Sequence, residues 1–304
     1  MRERAGVVVL LLVLMSALAP ANGGTPWNLT TPTMGGKQLW RDSHVYAGWR
    51  IQENVLTGHF RLLDTGDARR AWGTYAQCQS RLDQAKTTAA LRPTGRHLVL
   101  LVHGIIRSGG TFGALKEALN ERGYDAVAIS YPSSRDTIEN HAAGLAALLN
   151  RQEGSDTVSF VTHSMGGLVV RHLLARDDAW KDRLKVHGVV MIAPPNQGSA
   201  IARTIKDLAP YRLIYGESGQ ELTPDDAALI PAMTHDFAII AGGKGDGRGY
   251  NPLLPGDDDG TVTVAETRLD GAKDFLIVRQ IHGLISGHQA TIRATINFLT
   301  RGTL

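Results

Sequence analysis

The sequence predicts an α/β protein with a mostly parallel, doubly wound sheet, an antiparallel segment before that sheet and a lid insertion within it. Two observations carry this prediction. After Arg96, short apolar runs alternate with amphipathic stretches, which is the pattern of parallel strands joined by crossover helices. Between Gln38 and Trp72, apolar and polar residues alternate in short runs, which indicates antiparallel strands.

The composition is that of a globular chain. Of the 304 residues, 43% are hydrophobic and 20% are charged, which excludes a disordered or collagen-like chain. Lys and Arg number 32 against 29 Asp and Glu, and no dense basic cluster occurs, so we expect no nucleic-acid partner. No protein partner is implied. The single cysteine, Cys78, allows no intramolecular disulfide, and we expect it to be a small buried side chain.

Residues 1–21 have the features of a signal peptide. A basic start with Arg2 and Arg4, an apolar run at 7–14 and a small-residue cleavage site at 19–21 occur in that order. The mature chain is then expected to begin near Asn22 and to be periplasmic or secreted. The alternative is an uncleaved membrane anchor, but the apolar run is shorter than the about 20 residues that a spanning helix needs.

The predicted elements follow in chain order. A helix is expected at 75–86, and apolar periodicity predicts later helices from 112 to 123, after Asp136, at 165–176 and from 290. Asp136 and Glu139 resemble a capping box. The segment 197–235 is long and only partly periodic, which is typical of a lid or another functional insertion. The buried strands are expected at 97–102, 125–131, 157–161, 187–192, 237–241 and 275–281.

The most informative motif is THSMGG, residues 162–167, between the third of these strands and its helix. A serine hydroxyl attacks a carbonyl when a sharp strand-to-helix turn holds it beside a base, and small neighbours let the strand and helix approach. The expected pattern is G-x-S-x-G, and Thr162 replaces its first glycine. A serine near glycines is otherwise usually a loop residue, but the strand before and the helix after favour Ser164 as a nucleophile.

A second motif, Val102-His-Gly-Ile105, closes the first buried strand. Acyl transfer needs two backbone N–H donors directed at the developing oxyanion, one from the residue after the nucleophile and one from this loop. Met165 and Ile105 occupy these two places, and Ile106 is the competitor for the second. Taken alone, the His-Gly step would be only a turn.

Five segments together resemble the α/β-hydrolase superfamily, in particular bacterial lipase-like serine hydrolases. They are LLVHG, THSMGGLVVRHLL, MIAPPNQGSAIA, DDDGTVTVAETRLDGAKDF and IHGLISGHQATIRATINFL, and they cover roughly residues 97–301. The resemblance implies a catalytic domain at 97–304, with a lid at about 197–235, that cleaves carboxylic esters through an acyl-enzyme and needs no cofactor. Residues 22–96, a linker and antiparallel strand segment, match no motif.

In this fold the triad order is serine, acid, histidine, so both partners should follow Ser164 in the chain. Family members carry the base on the loop directly after the last strand, and His282 fits that place. His288 is the alternative, although a polar residue at a helix start is often a cap.

The acid is chosen among three consecutive aspartates. Asp259-Gly-Thr-Val262 resembles the family's Asp-Gly-x-Val step, so Asp259 is our choice and Asp258 the second. An acidic loop of this kind could instead be solvated or bind a cation, and some lipase-like enzymes bind calcium nearby. A closed calcium site needs six to eight oxygens, and the sequence does not assemble them, so we predict no metal.

The resemblance implies a small-molecule ester or lipid substrate, with transient contact with a membrane or lipid surface. Two other functions remain open. One is an acyltransferase or amidase with the same triad, and the other is a non-catalytic binding member of the fold. The ordered Ser, Asp and His candidates disfavour the second.

Overall fold

The computed structural model describes residues 37–304, which fall within one compact unit. The signal peptide predicted at 1–21 lies outside the described residues. From 37 onward, no helix combines the length and the apolar character that crossing a membrane requires.

The N-terminal part is a four-stranded antiparallel sheet in the order β1-β2-β3-β4. One helix, α1 (Tyr75–Thr88), packs on this sheet, and Thr74 and Gln77 form a capping box at its start. The predicted antiparallel segment is thus confirmed, and Cys78 is fully buried between helix and sheet. The four strands are β1 (Trp40–Tyr46), β2 (Trp49–Asn54), β3 (Phe60–Leu63) and β4 (Arg69–Gly73).

The larger sheet has six parallel strands in the order β10-β9-β8-β7-β5-β6. Its central strands are almost continuously apolar because both faces are covered. This arrangement confirms the predicted α/β class with a parallel, doubly wound sheet. The strands are β5 (His97–Val102), β6 (Asp125–Ala128), β7 (Thr157–His163), β8 (Lys185–Ile192), β9 (Phe237–Gly243) and β10 (Asp274–Arg279).

Helices lie on both faces of this sheet. The helices are α2 (Gly113–Asn120), α3 (Ile138–Asn150), α4 (Gly166–Ala175), α5 (Ala200–Ile205), α6 (Ala209–Gln220), α7 (Pro224–Ala228), α8 (Val264–Thr267) and α9 (Gln289–Arg301). Buried residues of α3 and α4 pack with Leu98 and Leu100 of β5, whereas those of α2 and α9 pack with Val99 and Leu101. The alternation along β5 therefore separates two cores, one on each face.

Two sequence-based details were wrong. The side chain that caps α3 belongs to Thr137, which accepts a hydrogen bond from the Asn140 N–H at 3.1 Å, and not to Asp136. Asp136 lies one residue earlier and accepts from the N–H of Thr137. The strand expected at 125–131 pairs only to Ala128, because Ser130 turns to β1 and exchanges hydrogen bonds with Asp42.

The segment 197–235 contains α5, α6 and α7, and one buried arginine holds the backbone directly before it and near its C-terminal end. Arg171 of α4 donates hydrogen bonds to the backbone oxygens of Asn196 and Ile230, each at 3.1 Å. Burial lowers the pKa of Arg171 to about 10, so the guanidinium stays charged at neutral pH. The insertion is thereby tied to the helix that follows Ser164.

Candidate active site

Ser164 occupies the turn between β7 and α4. Its φ of 55° is in the left-handed region, which a non-glycine residue adopts only where the surrounding structure holds it. Its backbone N–H donates to the oxygen of Ile192, the last residue of the neighbouring strand β8, at 2.9 Å. Ser164 remains 9% exposed at the carboxyl end of the sheet, where the loops of an open α/β sheet converge.

Close packing explains why small residues surround this turn. A Cβ at Gly166 would lie 2.3 Å from the backbone oxygen of Val102, and one at Gly104 would lie 2.8 Å from the Cβ of Ser164. A Cβ at Gly167 would lie 3.0 Å from the Cβ of Pro194 and 3.4 Å from the Oγ1 of Thr162. Residues larger than glycine are therefore not tolerated at 104 and 166, and Thr162, at the place of the motif's first glycine, is fully buried beside this turn.

A chain of two hydrogen bonds joins Ser164, His282 and Asp259. The Nε2 of His282 lies 3.0 Å from the Oγ of Ser164, and its Nδ1 lies 2.7 Å from the Oδ2 of Asp259. Since a carboxylate only accepts, Nδ1 carries the hydrogen and Nε2 is left to accept from the serine hydroxyl. The arrangement can remove a proton from Ser164 and stabilise the resulting imidazolium.

Asp259 is fixed by its own loop. Its side chain is buried, and its Oδ1 accepts from the N–H groups of Thr261 and Val262 at 3.0 and 2.8 Å. Its backbone oxygen accepts from the N–H of His282 at 2.8 Å. The loops after β9 and β10 are thus joined through backbone as well as side chain, which sets the position of the imidazole.

The two neighbouring aspartates hold loop backbone. The Oδ1 of the fully buried Asp258 accepts from three N–H groups within 3.2 Å, those of Tyr250, Asn251 and Gly260. Asp257 accepts from the N–H groups of Lys244 and Gly245. Within residues 37–304 no cluster of three or more His, Cys, Asp or Glu side chains has the geometry to hold a metal ion.

The other candidate base, His288, is the N-cap of α9. Its Nδ1 accepts from the N–H of Ala290 at 3.3 Å, so its side chain serves the helix start. The structure places His282, and not His288, beside Ser164.

Of the two candidate oxyanion donors, Ile105 lies three residues after the end of β5 and Met165 is the N-cap of α4. The competitor, Ile106, has a φ of 57° and donates its N–H to the Oγ of Ser133 at 3.0 Å. In the described part of the chain, the N–H groups of Ile105 and Met165 donate to no other protein atom. This geometry favours Ile105 over Ile106.

Two supporting residues were not anticipated from the sequence. His163 is buried and its Nε2 lies 2.9 Å from the backbone oxygen of His282. Burial, together with the nearby His282, holds the pKa of His163 well below its usual value, so its ring is neutral. Tyr131 donates its hydroxyl hydrogen to the backbone oxygen of His103 and stacks on that ring with centroids 4.3 Å apart. No sequence signal marks either residue. His163 occupies a position of the serine motif that any residue can take, and Tyr131 lies in the loop after β6, where no periodic pattern applies.

Comparisons with known proteins agree with the fold. A family model described as a domain of unknown function (DUF7379) matches residues 66–210. A triacylglycerol lipase of Pseudomonas fragi is 30% identical over 151 residues, which are 46% of this chain and 48% of that protein. The chain thus spans about half the length of this curated relative.

Two solved structures are similar to the larger part of the chain. The mature lipase BlEst2 of Bacillus licheniformis has a TM-score of 0.57 and 22% identity, covering 70% of this chain and 94% of that one. The metagenomic carboxyl esterase MGS0156 has a TM-score of 0.50 and 18% identity, covering 62% and 65%. The chain therefore has the α/β-hydrolase fold and is similar to lipases and esterases of that superfamily.

Proposed function

We propose that this protein is a serine hydrolase of carboxylic esters. Ser164 Oγ attacks the ester carbonyl while its proton passes to Nε2 of His282. The N–H groups of Ile105 and Met165 stabilise the tetrahedral oxyanion. His282 then gives the proton to the leaving alcohol. In the second half of the reaction His282 takes a proton from a water molecule, which attacks the acyl-enzyme, and then returns that proton to Ser164 Oγ as the acid is released.

The observation that carries this proposal is the paired hydrogen bonding of His282, 3.0 Å from Ser164 Oγ and 2.7 Å from Asp259 Oδ2. Each group leaves a different strand, β7, β9 or β10, so packing alone does not require the three to meet. The serine also occupies a left-handed turn, which exposes its hydroxyl to a substrate. The named relatives, two lipases and an esterase, support the same reaction.

The direct test is a series of p-nitrophenyl esters of increasing acyl length, assayed with the wild type and Ser164→Ala. We expect hydrolysis by the wild type only, and covalent labelling of the wild type alone by a fluorophosphonate, read by intact mass. Equal far-UV circular dichroism and Tm of the two proteins would show that the fold is kept. Wild-type turnover by Ser164→Ala would overturn the proposal.

Transfer of the acyl group to other acceptors is separated in the same assay. Added alcohol or amine that captures most of the acyl group, with little free acid, would identify an acyltransferase. Release of acid from amides at rates equal to esters would identify an amidase.

The proposal extends to location and organisation. We take residues 1–21 as an export signal, 97–304 as the catalytic domain and 197–235 as its lid. Four large apolar side chains of that insertion are strongly exposed, Leu208 at 56%, Leu213 at 87%, Ile214 at 54% and Leu229 at 80%, which fits contact with an apolar substrate or lipid surface. N-terminal sequencing of the exported protein should start near Asn22, and a start at Met1 would favour an anchor instead.

A further inference from the structure

A cavity of about 540 Å³ lies beside the candidate active site. One wall comes from Ile106, Arg107 and Ser108, the residues that follow the candidate oxyanion donor Ile105. The opposite wall includes Gly283 and Leu284, which follow His282. Both walls thus follow residues of the candidate site directly in the chain, which places the cavity next to that site.

The cavity has one ionisable side chain. Of its lining residues, only Arg107 is charged, and no carboxylate lies in the lining. Within residues 37–304, Arg107 forms no ion pair with an Asp or Glu side chain. The guanidinium of Arg107 is therefore available to a ligand.

The backbone around Arg107 is held in place. The left-handed Ile106 is fixed through its N–H to Ser133, the N–H of Arg107 donates to Gly104 at 3.3 Å, and the oxygen of Arg107 accepts from Gln38 at 3.3 Å. The Nη2 of Arg107 lies 2.7 Å from the place that a Cβ would take at Gly283. Glycine at 283 thus lets the guanidinium reach the backbone next to His282.

We propose that this cavity binds an anionic group of the substrate and that Arg107 determines specificity for such esters. The inference rests on the proposed function and adds the substrate class, an ester that carries a carboxylate or phosphate. The guanidinium offers two N–H groups to an anionic oxygen pair. Exposed Ile106 and Leu284 flank the cation, at 43% and 60%, and give the apolar part of the ester a surface.

Two matched substrate pairs place the anion on the acyl or the alcohol side. The first pair is mono-p-nitrophenyl adipate against p-nitrophenyl hexanoate, and the second is p-(hexanoyloxy)benzoate against its methyl ester. The readout is the ratio of kcat/KM for the anionic ester to that for its neutral partner. It is measured in the wild type, Arg107→Gln, Arg107→Lys and Arg293→Gln, at low and high NaCl.

We expect Arg107→Gln to lower this ratio by about tenfold or more for at least one pair, the factor of one charged hydrogen bond. Arg107→Lys should keep part of the ratio because it keeps the charge. Arg293→Gln removes the same charge from the exposed side of α9, outside the cavity, and should leave the ratio unchanged. High NaCl should lower the ratio in the wild type and not in Arg107→Gln, since salt screens the attraction.

The failure of this inference is distinct from that of the proposed function. A wild type that hydrolyses neutral p-nitrophenyl hexanoate, with ratios equal to those of Arg107→Gln for both pairs, overturns the anion site alone. A wild type that hydrolyses neither the anionic nor the neutral ester of either pair overturns the proposed function. Binding of monomethyl adipate by Ser164→Ala then tests the site without turnover. Calorimetry should show about tenfold weaker binding when Arg107→Gln is added, and equal binding overturns the inference.

Discussion

His163 lies directly before the candidate nucleophile and donates a hydrogen bond from Nε2 to the backbone oxygen of His282, 2.9 Å away. The two rings are in contact, with centroids 4.8 Å apart. The end of β7, which leads into Ser164, thus also fixes the position of the loop that carries the proposed base, His282.

We predict that His163→Ala lowers kcat roughly 10- to 100-fold, because a displaced imidazole loses catalytic alignment. KM should change little, since His163 is buried below the site and does not contact solvent. His163→Asn, whose side-chain amide can donate to the same oxygen, should recover part of kcat. A loss confined to Tm, with kcat of the folded protein unchanged, would contradict the prediction.

The two histidines near the last helix are predicted to differ strongly. His282→Ala should approach the Ser164→Ala background, because nucleophile and base act as a unit. His288→Ala should stay within about tenfold of wild type, about 1.4 kcal/mol in activation free energy. Loss of the N-cap should cost about 1 kcal/mol of stability. A dead His288→Ala beside an active His282→Ala would show that the base is misassigned.

The aspartates are predicted to separate activity from stability. Asp259→Asn should reduce kcat around 10⁴-fold by favouring the wrong imidazole tautomer. Asp258→Asn weakens the bonds to three loop N–H groups and should cost about 1–3 kcal/mol of stability, with a smaller effect on kcat. Asp257→Asn should change both little. Urea denaturation and ester kinetics on the three variants test this. A larger kcat loss in Asp258→Asn than in Asp259→Asn would make Asp258 the acid of the triad.

Gly166→Ala is predicted to damage the serine turn. The added Cβ would meet the backbone oxygens of Val102 and His103 at 2.3 and 2.8 Å, so backbone must move. We expect a cost of about 1–3 kcal/mol and a kcat loss of about 100-fold or more from the shifted Ser164.

Gly113→Ala is the matched control for this change. Gly113 has open space around its Cα and helical backbone angles, so alanine should stabilise the protein by about 0.4–1 kcal/mol. Equal stability changes for the two alanine variants would refute the steric argument.

Stability is predicted to fall below pH 6.5. His141 is buried, with Nε2 3.1 Å from the Oγ of Ser218 in α6, and burial lowers its pKa to about 4 from 6.5. Below pH 6.5 the unfolded chain binds a proton that the folded chain does not, so stability falls down to about pH 4. The slope is up to about 1.4 kcal/mol per pH unit for each such histidine.

Guanidinium denaturation over a pH series measures this slope. His141→Gln can still donate to Ser218 but cannot titrate, so its stability should fall less steeply between pH 6.5 and 4. An identical slope in His141→Gln and wild type would rule out His141 as a source.

The sequence by itself determined the class of fold and the residues in strong local patterns. Apolar runs such as 97–102 had to be buried strands, and the step from strand to glycine-flanked serine to helix marked Ser164. The order of the elements then placed the carboxyl ends of all six strands at the same edge of the sheet, because strands joined by crossover helices run parallel.

The tertiary structure decided which neighbours meet. Asp257, Asp258 and Asp259 are equivalent as local sequence, and their roles differ only because the loop turns one carboxylate to His282 and the others to backbone N–H groups. The same holds for three other contacts. His163 meets the backbone of His282, 119 residues away, Arg107 lies beside Gly283, and Arg171 binds backbone oxygens of two separate loops. Contacts across that distance depend on how layers pack, and no periodicity or propensity within a short window encodes them.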